Sequence, residues 1–160
     1  MDRLWTPWRL QYVTEANKLT SDCIFCDAVA NIDAEPLVVH VGQAAFVILN
    51  KFPYNNGHLM IVPRRHVGWL SELEGPELDE IMGLTQMAER VLTSVYNPHG
   101  YNMGLNLGKP AGAGVLGHLH MHVVPRWNGD TNFISVVGET RVLPEEMTTT
   151  ASRLRAAFKS

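Results

Sequence analysis

The stretch Gly117–Trp127, GHLHMHVVPRW, places a histidine at every second position. The three histidines are His118, His120 and His122. Side chains on a β-strand point alternately to its two faces, so a strand here would carry all three imidazoles on one face. The intervening Leu119, Met121 and Val123 would pack into a core on the other face. The stretch therefore predicts a core strand with a row of histidines along one side.

Three imidazoles on one strand face are costly to bury without partners. This cost favours a face that binds a ligand or takes part in a reaction. The alternatives are an exposed polar face and a set of hydrogen-bonded core histidines. Imidazole can bind metal, transfer protons or act as a nucleophile, and alternation alone leaves these roles open. The preceding segment 106–114, NLGKPAGAG, is a glycine-rich loop with Gly108, Gly112, Gly114 and Lys109. Its backbone N–H groups can turn toward an anion, so the pairing indicates phosphorus chemistry.

The composition fits one globular domain over residues 1–160. Hydrophobic residues make up 46% of the chain and charged residues 18%, which supports a packed core and argues against a disordered tail. A net charge of -3 argues against a protein that coats nucleic acid. No apolar run is long enough to cross a bilayer, and the first residues, MDRLWTPWRLQYV, lack the apolar segment of a signal peptide. We expect a cytoplasmic protein with no membrane or nucleic-acid partner.

The order of strand-like and helix-like hydrophobic patterns along the chain predicts an α+β domain. It should have roughly five antiparallel strands, one long helix and shorter terminal helices. Two strands joined at Gly42–Gln43 are expected in 36–50, a third before Pro63, a fourth in 101–108 and a fifth in 119–125. The long helix follows from apolar residues at helical spacing between Leu78 and Val95, with Pro76 in its first turn and Asn97–Pro98 at its end. Shorter helices are expected over 4–18, after Cys23 and over 144–158.

The only two cysteines, Cys23 and Cys26, form a Cys-x-x-Cys pair. In a chain expected to be cytoplasmic, this spacing indicates metal or redox chemistry more often than a structural disulfide. A pair of reduced thiols without metal is the alternative.

Several segments together resemble the HIT (histidine triad) nucleotide-binding family. HLHMHVV at 118–124 matches the triad signature, in which apolar residues alternate with three histidines. GHLMIVPRRH at 57–66 resembles the family's Gly-His segment, and NLG…AG resembles its phosphate loop. FVILN ends at Asn50, eight residues before His58, where the family has an acidic or amide residue for the ribose. The resemblance covers about Cys23–Trp127. The flanking LWTPWRLQY, FPYNNGHLM and VVPRWNGDTNF look most like the family's bacterial diadenosine tetraphosphate phosphorylase branch.

The resemblance implies a HIT-like fold and a covalent mechanism. His120 would attack the α-phosphorus of a nucleotide and form a nucleotidyl-histidine intermediate, which phosphate or water then resolves. A covalent intermediate of this kind divides one difficult step into two easier ones. His122 would contact phosphate oxygens or the leaving group, and His58 would orient the triad. No organic cofactor is expected.

The resemblance also assigns residues to substrate binding. Asn50 would hold the ribose hydroxyls, and Asn106 would hydrogen-bond near the phosphate or the leaving group. Lys109 and the N–H groups at Gly112 and Gly114 would stabilise phosphate charge.

The loop departs from the family at one place. Many members carry Gln or Ser just before the triad, whereas residues 113–115 here are Ala-Gly-Val. The loop also looks one residue longer than in the hydrolase branches. Without that polar side chain the loop would leave room for inorganic phosphate as the acceptor, which would favour phosphorolysis over hydrolysis.

Two further expectations come from the resemblance. Some bacterial HIT proteins bind a structural zinc ion through a cysteine pair and two histidines, here Cys23, Cys26, His66 and His118. Four such ligands make a closed tetrahedral site. The family also usually forms homodimers, so a homodimer is expected.

Four functions remain in competition. The first is phosphorolysis of diadenosine tetraphosphate to ADP and ATP. The second is hydrolysis of dinucleoside polyphosphates or adenylyl phosphoramidates, which consumes no phosphate. The third is a nucleotide-binding regulator with vestigial catalysis, although binding alone requires no nucleophile. The fourth is a redox or metal-sensing domain that uses the two cysteines and binds no nucleotide.

Overall fold

A computed structural model describes residues 23–130 and 145–160. Within them, five strands form one sheet in the order β1-β2-β3-β5-β4, and every neighbouring pair is antiparallel. The strands are β1 (Val38–Val41), β2 (Ala45–Leu49), β3 (Leu59–Pro63), β4 (Gly100–Leu105) and β5 (Met121–Arg126). The predicted α+β class and five-stranded antiparallel sheet are confirmed.

The α-helices of the described segments are a short helix (Ile24–Ala30), a long helix (Gly75–Tyr96) and a C-terminal helix (Met147–Phe158). Single 3₁₀ turns occupy Leu70–Glu72 and Lys109–Ala111. The helix expected over 4–18 lies outside the described residues. The expected C-terminal helix (144–158) begins at Met147, so its observed start is three residues later than its sequence pattern indicated.

The long helix begins and ends where its sequence signals predict. Glu74 is the N-cap and forms a capping box with Glu77, and Pro76 lies in the first turn, where its missing N–H costs no hydrogen bond. Asn97 ends the helix in the left-handed conformation, with φ of 45°. Asn accepts this conformation more readily than most residues do.

The two faces of the sheet differ in what covers them. One face, named here the helix face, packs apolar strand residues such as Val47, Ile61 and Val123 against the long and C-terminal helices. The opposite face, named the triad face, carries Phe46 and Met60 and lies under the short helix. Because β2 and β3 are buried on both faces, their sequences read as continuous apolar runs rather than alternating patterns.

β5 starts two residues later than the sequence pattern suggests, at Met121 instead of Leu119. The β3–β5 register pairs Ile61 with Met121, so two positions further along it would join Pro63 to Leu119. Proline has no N–H to donate to a ladder, and the Leu119 N–H instead bonds the carbonyl of Val67 at 2.7 Å. His118 and His120 therefore precede the regular strand.

β4 is likewise shorter than expected, ending at Leu105 rather than at residue 108. Leu105 pairs with Met121, the first residue of β5, so the chain has no further strand partner beyond that point. Residues 106–117 leave the sheet as the loop in front of the triad.

The C-terminal helix completes the helix face, away from the histidines. Ala151, Leu154 and Phe158 belong to the core on that face. Glu145 anchors the start of the helix by accepting hydrogen bonds from the hydroxyls of Tyr96 and Thr150 and from the guanidinium of Arg153. No helix within 23–130 or 145–160 has the length and apolar character to span a membrane.

Candidate functional site

The alternation of the triad places its histidines on the triad face and its apolar residues on the helix face. Leu119 and Val123 lie in the helix-face core, whereas His122 pairs in register with Met60 of the triad face. The rings of His120 and His122 are 4.9 Å apart in an edge-to-face arrangement. All three triad histidines are buried, so each ring requires a defined hydrogen-bond partner.

His120 is oriented by the backbone of its own segment. Its Nδ1 lies 2.8 Å from the carbonyl oxygen of His118. A carbonyl can only accept, so Nδ1 carries the proton in this arrangement, and in the neutral ring Nε2 carries the lone pair. A neutral imidazole with an available Nε2 lone pair is a competent nucleophile near pH 7.

His122 has the opposite tautomer, and His58 sets it. The backbone N–H of Tyr54 donates to Nδ1 of His58 at 3.0 Å, so the proton of His58 lies on Nε2. That Nε2 is 2.9 Å from Nδ1 of His122 and donates to it. In neutral His122 the proton therefore lies on Nε2. The site presents a lone pair on His120 beside an N–H on His122.

Burial keeps these imidazoles neutral. It lowers the pKa of His120 below its ordinary value, against the opposing effect of the hydrogen bond to the His118 carbonyl. Burial, with the nearby His120 ring, lowers the pKa of His122 to about 4. Both rings are neutral at pH 7, as the tautomer assignment requires.

Aromatic rings border the histidine pair on two sides. The ring of Tyr54 lies 4.6 Å from that of His58 and stacks at 5.8 Å on that of His122. Phe25, from the short helix, lies 5.1 Å from the ring of His120 and contacts that of His118 edge-on at 5.4 Å. These apolar walls limit hydration of the rings and contribute to the low pKa values.

The two asparagines predicted for substrate lie beside this group. Asn50 directs Nδ2 toward Nδ1 of His58 at 3.4 Å, while its Oδ1 accepts the N–H of Phe52. Asn106 directly follows Leu105, which pairs with Met121, so it lies at the end of the β4–β5 ladder, where the segment that carries His120 enters β5. Both asparagines are half-buried.

The glycine-rich loop reaches the triad face, where Val115 packs against the apolar cluster. Gly108 and Gly112 have φ of 79° and 89°, a region that favours glycine. The N–H of Gly112 donates to the carbonyl of Lys109, so Gly112 closes the 3₁₀ turn and its N–H is not available to an anion. Within the described residues, no hydrogen bond engages the N–H of Gly114. Lys109 is exposed on the turn.

Cys23, Cys26, His66 and His118 form a second cluster, with one candidate ligand atom from each within 4.8 Å of the others. Nε2 of His118 donates to the carbonyl of Pro63 at 2.8 Å, so the lone pair of its ring lies on Nδ1. That Nδ1 is 3.2 Å from Sγ of Cys23, and Nδ1 of His66 is 3.1 Å from Sγ of Cys26.

This cluster could bind a metal ion. Two thiol sulfurs and two imidazole nitrogens are a donor set that suits zinc, and His118 already directs its lone pair inward. Burial and the neighbouring Cys23 raise the pKa of Cys26 to about 11, so Cys26 holds a proton that a bound metal would displace. His118 also connects the two sites, because its carbonyl orients His120.

The structure brings together the predicted catalytic residues His58, His120 and His122 and, separately, the four predicted metal ligands. Sequence reasoning missed Tyr54 and the residues that brace its turn, Asn55 and Asp130. Tyr54 acts through a backbone N–H, a donor that every residue except proline carries, so its side-chain identity gave no signal.

Comparison with known proteins agrees with this geometry. The HIT domain family model matches residues 33–129, which include the triad, His58 and the glycine-rich loop. An AP-4-A phosphorylase from Mycobacterium tuberculosis is 46% identical over 152 residues, covering 91% of this chain and 78% of the relative. An adenylylsulfatase from Arabidopsis thaliana is 25% identical over 116 residues, covering 72% of this chain and 58% of the relative.

Solved structures share the fold. A zinc-bound histidine triad family protein from Mycobacterium smegmatis superposes with a TM-score of 0.70 at 28% identity. The alignment covers 86% of this chain and 93% of that one.

Proposed function

The chain belongs to the HIT family, and from that premise we propose that it transfers a nucleotidyl group through His120, with phosphorolysis of diadenosine tetraphosphate as its reaction. The observation that carries the proposal is the opposite tautomers of His120 and His122. One ring offers a lone pair for attack on phosphorus, and the other offers an N–H for the oxygens that gain charge. A binding-only regulator would need no such pair.

In the first step, Nε2 of His120 attacks the α-phosphorus that is bonded to one adenosine of diadenosine tetraphosphate. A P–N bond forms while the P–O bond to the remaining triphosphate breaks, and ATP leaves. The His120 ring gains positive charge, which the His118 carbonyl stabilises through Nδ1–H. Nε2–H of His122 donates a hydrogen bond to the departing oxygen. Because a polyphosphate is a stable anion, His122 need not give up its proton.

In the second step, an oxygen of inorganic phosphate attacks the same phosphorus. The P–N bond breaks, the electron pair returns to Nε2 of His120, and ADP is formed. The N–H of Gly114 and the charge of Lys109 would stabilise the phosphate oxygens, while Asn50 would hold the ribose and Asn106 the phosphate chain near His120. Ala113 beside Gly114 would leave space for phosphate, because many family members carry a polar side chain there.

Product analysis with diadenosine tetraphosphate, with and without inorganic phosphate, tests this reaction. We expect ADP and ATP in equal amounts, formed only when phosphate is present. AMP and ATP formed without phosphate would establish a hydrolase and would contradict the assignment of phosphate as acceptor. Absence of turnover under both conditions would contradict phosphorolysis and hydrolysis alike for this substrate.

The second candidate is hydrolysis of an adenylyl compound. It is favoured by the similarity to a plant adenylylsulfatase, and it would use the same first step on His120 with water as acceptor. Release of AMP from an adenylyl phosphoramidate at a higher kcat/KM than diadenosine tetraphosphate would favour this candidate.

We also propose that the cluster of Cys23, Cys26, His66 and His118 holds a structural zinc ion. The proposal is supported by the donor set, by the inward lone pair of His118 and by the zinc-bound relative from Mycobacterium smegmatis. Bound zinc would supply a cross-link between the short helix, the segment after β3 and the triad segment. No reaction step passes through it.

Metal analysis and thermal unfolding test the zinc site. We expect about one zinc per chain in protein purified from zinc-supplemented medium, and a lower unfolding temperature after chelation. The Cys26→Ser variant should lose the metal. The control variant His40→Gln should retain it, since His40 lies on β1 against Phe158. Wild-type protein without zinc under these conditions would refute the proposal.

We further propose a homodimer formed through β4 and the long helix. In the described part of the chain, β4 pairs with β5 on one side only, which leaves its other edge for a second strand. Met103 on β4 and Leu78 and Met82 on the long helix are 41–48% exposed. The Tyr101 hydroxyl of β4 donates to the backbone carbonyl of Glu89 on the long helix. Glu89 lies two helical turns after Met82, so Met82 and Met103 lie toward the same edge of the sheet.

The molar mass measured by light scattering after size-exclusion chromatography tests the dimer. We expect a mass of two chains for the wild type and one chain for Met82→Glu combined with Met103→Glu. Val41→Glu is the control, because Val41 is 42% exposed at the opposite edge of the sheet. A monomeric wild type at micromolar concentration would refute the proposal.

A further inference from the structure

The turn between β2 and β3 contributes to the tautomer of His58 through its backbone, and it borders His58 and His122 with the ring of Tyr54. Tyr54 lies in this turn and supplies the N–H that His58 accepts. The turn then returns through Gly57, with φ of 74°, into β3. Whatever fixes the position of this turn therefore fixes the shorter of the two contacts that keep the proton of His58 off Nδ1.

Asn55 ties the turn to the far end of β5. Its Nδ2 donates to the carbonyl of Pro125 at 3.1 Å and to Oδ2 of Asp130 at 2.8 Å. Pro125 is three residues beyond His122 on the same strand. The turn that orients His58 is thus attached to the strand that carries the partner of His58.

Asp130 is itself held in place by several donors. Arg126 donates to both of its carboxylate oxygens at 2.6 and 2.8 Å, and the N–H of Trp127 donates to Oδ2 at 3.1 Å. Arg126 keeps the pKa of Asp130 well below its usual range, so the acceptor of Asn55 stays charged. Charge-assisted hydrogen bonds of this kind are shorter and stronger than neutral ones.

We propose that Asn55, braced by Asp130, is a positioning residue that fixes the tautomers of His58 and His122. It holds the Tyr54 N–H against Nδ1 of His58, which keeps the proton of His58 on Nε2 and the proton of His122 on its own Nε2. The kinetic consequence rests on the proposed function, because only there does Nε2–H of His122 meet the leaving oxygen.

Two donors face Nδ1 of His58, and the N–H of Tyr54 at 3.0 Å is closer than Nδ2 of Asn50 at 3.4 Å. Single hydrogen bonds of ordinary strength are enough to decide between two imidazole tautomers that differ little in energy. If the Tyr54 N–H moved away, only the longer contact from Asn50 would oppose a proton on Nδ1 of His58. With its proton on Nδ1, His58 would offer a lone pair to His122. His122 would then place its proton on Nδ1 and face the anionic substrate with a lone pair, which repels it.

Histidine ¹⁵N NMR on the full chain reads the tautomers directly and does not depend on any substrate. In the wild type we expect Nδ1 to be unprotonated and Nε2 protonated for both His58 and His122. In Asn55→Ala we expect signals averaged between tautomers, or inverted, for this pair. The control is Asn102→Ala, because Asn102 accepts a hydrogen bond from Arg126 without touching the turn.

Kinetics on the same variants give the second readout. By analogy with residues that orient metal-bound histidines, Asn55→Ala should lower kcat by about tenfold or more. KM should change much less than kcat, since the Asn55 side chain is engaged by Pro125 and Asp130 and is not among the residues proposed to hold the nucleotide, and Asn102→Ala should match the wild type. Asp130→Asn, which keeps an oxygen for Asn55 but removes its charge, should give a smaller change in the same direction if Asn55→Ala does not fold.

The two readouts separate the failure of this proposal from failure of the proposed function. Wild-type tautomers in folded Asn55→Ala, or in Asp130→Asn where the first variant fails to fold, would overturn the positioning role whatever the activity. Equal changes in Asn55→Ala and Asn102→Ala would also overturn it, because they would report a loosened network and not the turn. Altered tautomers without loss of kcat would leave the positioning role standing and would contradict the role of His122 in the reaction.

Discussion

The two faces of one sheet are organised by different physics. The helix face is a contiguous apolar core in which β-strand residues such as Val47 and Ile61 meet Leu84 and Leu92 of the long helix. The triad face mixes apolar residues with buried imidazoles, each held by a directed hydrogen bond. Packing on the first face tolerates exchange of similar shapes, whereas the second face depends on where individual protons lie.

The imidazoles of the triad face are held largely by backbone groups. The carbonyl of Pro63 fixes His118, the carbonyl of His118 fixes His120, and the N–H of Tyr54 fixes His58. Backbone groups cannot be removed by changing a side chain. The orientation of the rings is therefore a property of the fold, and substitutions on the two faces should separate activity from stability.

The largest expected effect is on activity, from the triad face. His120→Ala removes the proposed nucleophile and should lower kcat by about 10⁴-fold or more, while nucleotide affinity stays within a few fold. Steady-state kinetics and equilibrium binding of a non-reacting nucleotide analogue measure the two quantities. Loss of binding together with turnover would contradict the assignment, as would substantial residual turnover.

A large effect on stability is expected from the helix face. Ile61 is fully buried in that core, and Ile61→Ala removes methyl groups that the rigid surroundings cannot replace. The free energy of unfolding should fall by about 2–5 kcal/mol. Urea unfolding measures it, and kcat per folded molecule should remain close to that of the wild type. A large drop in kcat for the folded variant would show that the two faces are not independent.

An effect of pH on stability is expected from the triad face. The pKa of His122 falls from its ordinary 6.5 to about 4 in the fold, so between these values the unfolded chain binds more protons than the native one. The free energy of unfolding should therefore decrease as pH falls from 6.5 to 4, by up to about 3 kcal/mol. This contribution is fully present above pH 6.5.

Urea unfolding at several pH values measures this dependence, with His122→Asn as the comparison. The variant should show a shallower decrease over the same range, because it lacks the imidazole whose neutral form the fold favours. Identical slopes in the wild type and the variant would contradict the assignment of the effect to His122.

The helix face could be predicted from sequence because its rule is periodic. The spacing between Leu78 and Val95, Pro76 at the start and Asn97 at the end predicted the long helix. Alternation in the triad segment likewise predicted which residues face the core. Strand ends were harder, because the start of β5 depends on Pro63 of a different strand, and the sequence of β5 does not contain that information.

The triad face could be predicted only in part. The residue types of the triad and its likeness to a known family indicated which histidines meet, and the structure brings them together. The donors that set their tautomers come from Tyr54 and from carbonyls, which carry no residue-specific signal. The same limit applies to Gly112, whose sequence indicated an anion contact while its N–H closes a turn.

The smallest expected effect comes from a residue that belongs to both kinds of surface. Phe25 is fully buried in the apolar cluster of the triad face, yet its ring contacts His118 and His120. Phe25→Leu keeps an apolar side chain of smaller volume, so we expect a loss of about 1 kcal/mol in unfolding free energy. Because the ring also borders His120 and limits its hydration, kcat should fall a few fold as well, measured beside urea unfolding. If stability fell while kcat stayed unchanged, Phe25 would act as packing alone, and the hydrogen bond to the His118 carbonyl would suffice to orient His120.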